Sequence, residues 1–172
     1  MVQVTIAGVD DGPIEITSDL YRNLRDALRQ FGDPQLPLAL DVRERLALVI
    51  SAKVRVAPDY AWEFVEPAIR AALLDAFGFD RVALGDDLLL ATAIRTIQSV
   101  AGVAYTDVDV FATISEADVL AGFAEPAAAH LGLADRLTLE PARMIGRTLR
   151  PAQLAYLTPD VPDTLILQEI VS

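Results

Sequence analysis

Carboxylates are the abundant reactive side chains of this sequence. Asp107 and Asp109 lie two apart in an alternating stretch and so project from one strand face, Asp10 adjoins Asp11, Asp86 adjoins Asp87, and Asp135 and Glu140 stand in a less patterned region. Two carboxyl groups roughly 5–10 Å apart can hydrolyse a glycoside, usually in a cleft with rings to stack on the sugar. Only 6% of the residues are aromatic. A hard cation requires about six oxygens in a shaped loop, and the D-x-D-x-D-G spacing of a calcium loop is absent. Asp107 and Asp109 therefore read as a solvated strand face, or as one meeting arginine from a partner. Asp10-Asp11-Gly12 reads as a turn, and Asp86 or Asp87 as a helix start, where negative charge suits the helix dipole.

The other reactive types are nearly missing. Cysteine is absent and His130 is the single histidine, so disulfides, thiolate metal sites, cysteine nucleophiles, a catalytic triad and an H-E-x-x-H zinc site all lack parts. Lys53 is the only lysine and sits inside an alternating run, with no G-x-G-x-x-G or Walker loop anywhere. It reads as a solvated strand residue, and His130 as structural. No catalytic residue, cofactor or metal ligand is assigned, and no small-molecule substrate is expected. Tyr60, Trp62 and Phe64 flank a helix start; they are either buried beside a long strand or exposed as anchors for another subunit, since such rings dominate interface energetics.

The elements that position these residues follow from periodicity. Val2, Val4 and Ile6 alternate as a strand. Ser18 caps a helix with Leu20, Leu24, Ala27, Leu28 and Phe31 on its apolar stripe, and Gly32 and Pro34 stop it. Leu36 to Val42 alternates again. After a charged link of Arg43, Glu44 and Arg45, a strand from Leu46 to Val56 sets its even-numbered residues one way and its odd-numbered residues the other; at about 3.3 Å per residue it spans about 36 Å. The next helix carries Val65, Ile69, Ala72, Leu73 and Ala76, with a start near Phe64 or a kink near Pro67. An extended piece over 81–84 precedes a helix with Leu90, Ile94 and Ile97 inward and Gly102 just past its end. A strand then runs from Val103 to about Thr113.

This β-α-β-β-α-α-β order predicts an α+β fold, ferredoxin-like, with helices on one face of a mainly antiparallel sheet. Residues 1–114 form the core. Residues 115–172 form an arm with a helix near 117–123 and an Ala-rich piece over 126–133, then strands at 153–157 and 164–170 joined hairpin-like by TPDVPD. That second region packs on, or extends, the same domain.

A chain of 172 residues with 53% apolar content can bury a core without staples, and its net charge of −11 disfavours binding to phosphate backbones. It has neither a signal-peptide pattern nor an apolar run long enough for a membrane helix. A soluble protein that binds no nucleic acid is expected.

The run from Val54 to Phe111, VRVAPDYAWEFVEPAIRAALLDAFGFDRVALGDDLLLATAIRTIQSVAGVAYTDVDVF, resembles the C-terminal region of baseplate J-like proteins, the baseplate assembly proteins of contractile-tailed phages and contractile injection systems. The order carries the likeness: a V-x-V strand, a helix ending in L-x-x-F-x-F, L-G-D before a second helix with I-Q-x-V-x-G-V, then V-x-V. It extends upstream through VTIAG at 4–8, Leu24 to Pro34 and VRERLALVISAKV, and downstream to RPAQLAYLTPDVPDTLILQEI. The resemblance implies a structural role in the wedge that joins the central hub to the sheath, within a phage or phage-like particle assembled in the cytoplasm. It also implies partners among other baseplate proteins, copies of the same chain included, and no catalytic residues. Tyr60, Trp62, Asp107, Asp109, Leu154, Tyr156, Leu165 and Leu167 are the expected interface residues, and deleting 152–172 is expected to abolish assembly. Two other classes fit the element order: a small-molecule-binding regulatory module and a carboxylate enzyme.

Overall fold

The computed structural model describes residues 2–33, 35–115 and 131–171. Pro34, His130, the helix expected near 117–123 and most of the Ala-rich piece lie outside them. In chain order the elements are β1 (Val2–Ile6), α1 (Asp19–Phe31), β2 (Leu38–Val42), β3 (Glu44–Val56), α2 (Trp62–Phe77), β4 (Leu88–Leu89), α3 (Leu90–Gln98) and β5 (Val103–Ser115). Then follow β6 (Arg136–Leu137), β7 (Arg143–Ile145), β8 (Thr148–Arg150), β9 (Gln153–Tyr156) and β10 (Leu165–Glu169). The class is α+β.

β3 is the spine. Its alternation buries Leu48, Ile50, Ala52 and Val54 against α2, which brings Val65, Ile69, Leu73 and Phe77 down one stripe at four-residue spacing, and against Leu90, Ala93 and Ile97 of α3. Val108 and Phe111 of β5 join this core, as do Leu139, Ala155, Leu157 and Leu165 from the C-terminal part of the chain. The Phe77 and Phe111 rings meet edge-on with centroids 6.2 Å apart. Burying each large aliphatic side chain is worth about 1.5–3 kcal/mol, so the stripe of α2 anchors that helix firmly.

The sheets are mixed rather than mainly antiparallel. β5 lies antiparallel to β3 from Leu46↔Ser115 to Val56↔Val103, with irregularities at Ser51/Ala52 and Arg55/Val56. β9 and β10 both run parallel to β3, Glu44↔Gln153 to Ala47↔Tyr156 and Leu165↔Ile50 to Glu169↔Val54. The two C-terminal strands are therefore not a hairpin. Both keep one direction along β3, and the chain between them takes up residues 157–164 while the register on β3 advances only from Ala47 to Ile50. A 3₁₀ turn at Pro162–Thr164 absorbs the slack. β1, α1 and β2 form a separate parallel unit with register Val2↔Leu38 to Ile6↔Val42.

Local signals explain most boundaries. Ser18 Oγ accepts the Tyr21 amide at 3.2 Å and opens α1. α2 begins at Trp62, two residues before Phe64, with Pro67 in its second turn; the donor that proline lacks would have met the carbonyl of exposed Glu63, where water can serve instead. α3 begins at Leu90, with Leu89 as its N-cap, rather than at Asp86 or Asp87. Asp87 is engaged elsewhere: its carboxylate accepts the Leu139 amide at 3.3 Å and pairs with Arg136 at 3.2 Å. The 81–84 piece expected to be extended starts as a 3₁₀ turn, Phe79–Arg81.

Candidate functional site

The densest polar constellation joins the β1-α1-β2 unit to the β3 body. After β1 the chain turns through Val9–Asp11, where Asp10 (φ 51°) and Asp11 (φ 58°) adopt the left-handed conformation that aspartate tolerates better than most residues. That turn aims the Asp11 carboxylate at Arg43 and, at 3.0 Å, Arg45, while the Tyr156 hydroxyl donates to it. The Arg43 side chain is 5% exposed and its guanidinium lies 5.6 Å from the Phe79 ring centroid; the Arg45 guanidinium lies 5.4 Å from that of Tyr156. The Phe79 and Tyr156 rings meet edge-on at 5.6 Å. Three segments far apart in sequence are pinned by one carboxylate. In the sequence Asp11 reads as a turn residue and Arg43 and Arg45 as a charged link; the i, i+2 spacing of the two arginines along extended chain, which puts both on one side, is the signal that points to the junction.

The residues expected at an interface separate into two sets. Tyr60 is 51% exposed, its ring packed on Gly102, where φ is +94° and an added Cβ would sit 2.6 Å from a ring carbon. Asp107 and Asp109 are exposed on one face of β5, and Lys53 reaches Asp109 at 3.1 Å, though its register partner is Asp107. Trp62 and Leu167 are half-buried against the core. Leu154, Tyr156 and Leu165 are buried within this chain's own sheet. The structure thus places Leu154 with Tyr156 on β9 and Leu165 with Leu167 on β10, and does not bring them together with Tyr60 or Asp107 as one patch.

Among the described residues, no group of three or more acidic or histidine side chains could hold a metal ion, and no helix is long and apolar enough to cross a membrane. The surface carries open grooves instead. One of about 640 Å³ runs between β1, β2 and the end of α1, lined by Val2, Val4, Leu28 and Leu36. Another, of about 560 Å³, lies beside the Asp11 constellation.

Residues 1–41 match the family model of the Baseplate J-like central domain. The matched stretch is β1, α1 and most of β2, upstream of the 54–111 run that carries the resemblance in sequence, and it corresponds to a central rather than a C-terminal region. It supports a baseplate J-like relationship for that stretch. No curated protein matches the chain.

Proposed function

We propose that this chain is a structural wedge component of a baseplate in a contractile phage tail or a related contractile injection apparatus, acting through protein–protein interfaces. The observation that carries the reading is the match of residues 1–41 to the Baseplate J-like central domain. The surface is compatible with it: α1 leaves the apolar side chains of Leu20 and Phe31 exposed, where another polypeptide can pack. On this reading the partners are other baseplate proteins and further copies of the chain, and the work is mechanical, holding neighbours in place and passing the contraction trigger outward. Tyr60, Asp107 and Asp109 are its exposed contact residues, while Trp62 and Leu167 are half-buried against the core. Leu154, Tyr156 and Leu165 act indirectly by fixing β9 and β10. Residues 152–172 include both of these strands, so their deletion tests folding before it tests assembly.

The deciding experiment is to purify tail-like particles from the source organism and identify their proteins by mass spectrometry. The chain is expected in fixed ratio to tube and sheath subunits, and disrupting its gene is expected to leave no contractile particles in electron micrographs. Complete, contractile particles that lack the chain would overturn the reading.

A further inference from the structure

Charge is unevenly divided along this chain. Residues 136–150 carry four arginines and one carboxylate, net +3, while the remainder carries net −14. The basic segment contains the β7–β8 hairpin, whose two-residue loop begins with Gly146 at φ +61°, as a type II′ turn requires. Its register sets Arg143 directly opposite Arg150, a like-charge pair that opposes pairing unless carboxylates attend it. Arg143 has Glu140; Arg147 and Arg150 have no carboxylate partner among the described residues. Between them the tip presents Met144 and Ile145, each 53% exposed.

The complementary surface is the groove of about 560 Å³ beside the Asp11 constellation, lined in part by Phe79 and Pro159 and by Asp10, Asp80 and Asp160. Those three aspartates are exposed and unpaired among the described residues. No hairpin residue lines the groove of its own chain. We propose that the β7–β8 hairpin of one copy docks in this groove of a second copy, Met144 and Ile145 against Phe79 and Pro159, Arg147 and Arg150 toward the aspartates. A second copy is the partner because the negative charge that complements the hairpin resides on this chain's own body. The contact is proposed as one-way and not as a reciprocal exchange of hairpins between two copies, so it is heterologous and repeats from copy to copy into a ring or a filament. The inference deepens the assembly reading above and rests on it.

The absence of cysteine permits a clean test. A chain bearing both Ile145→Cys and Pro159→Cys, with thermal midpoint unchanged, is expected to give a ladder of disulfide-linked dimers, trimers and higher species on mild oxidation. Neither single variant is expected to pass beyond a slow dimer. Adding Arg147→Glu and Arg150→Glu should abolish the ladder, and further adding Asp80→Arg and Asp160→Arg should restore it. No ladder, a disulfide closed within one chain, a fast dimer from Ile145→Cys alone, or a ladder indifferent to charge reversal would each overturn the docking. If the chain is present in purified particles and the ladder fails, the docking pair is wrong and the assembly reading stands; absence from particles removes that reading itself.

Discussion

α1 and α2 are amphipathic helices of 13 and 16 residues, each beside alternating strands, and they reach different surroundings. α2 buries Val65, Ile69, Leu73 and Phe77. α1 buries Tyr21 alone, whose hydroxyl donates to the Leu40 carbonyl, and leaves Leu20 63% and Phe31 83% exposed. The cause lies in what stands behind each helix. β3, flanked by β5, β9 and β10, gives α2 a broad apolar face, whereas β1 and β2 pair only with each other among the described residues. An apolar stripe specifies which side of a helix faces inward; the sheet determines how much of that side is covered. The region left uncovered is also the region that matches the Baseplate J-like central domain.

This contrast can be broken by measurement. The largest effect is expected in the body: Ile69→Ala, at a fully buried site, should lower unfolding free energy in urea by about 4 kcal/mol. Next comes the junction, where Asp11→Ala leaves the nearly buried Arg43 without its carboxylate and should cost about 3 kcal/mol, with a rise in proteolysis at residues 7–17. Ser18→Ala removes the cap of α1 and should cost about 1 kcal/mol, read as faster amide exchange in that helix. Leu20→Ala, on the open side of α1, should change stability by less than about 0.5 kcal/mol. Equal losses for Ile69→Ala and Leu20→Ala would show that α1 is covered in solution, and the contrast would fail.

Much of the fold was legible in the residues because its causes are local. The alternation of Leu46 to Val56 announces β3, and Ser18 and Gly32 bound α1 through hydrogen bonds to nearby amides and carbonyls. What was not legible depends on partners. Alternation in Gln153–Tyr156 says that a strand forms, and nothing about which strand it joins or in which direction; hence the expected hairpin and the observed parallel pairing. Asp87 reads as a helix cap from its local sequence, but the amide it accepts belongs to Leu139, 52 residues on. The junction was hidden for the same reason: Asp11 meets Tyr156 at a separation of 145 residues. Of the expected interface, the exposure of Asp107 and Asp109 followed from a polar strand face, but the burial of Leu154 and Leu165 required knowing that both sit on β3.

That shared edge of β3 also orders events during synthesis. β3 finds its antiparallel neighbour within about fifty residues of chain, yet β9 and β10 come only from positions 153–169. Once β5 is complete, the ribosome at about 5–20 residues per second takes roughly 2–8 s to make the forty or so residues before β9. Through that interval the nascent chain holds a long apolar strand with one edge open, the kind of template on which neighbouring chains of a polysome can pair. Translation speed downstream of β3 therefore bears on yield, and arrested chains ending before residue 153 should pellet where full-length chains remain in solution.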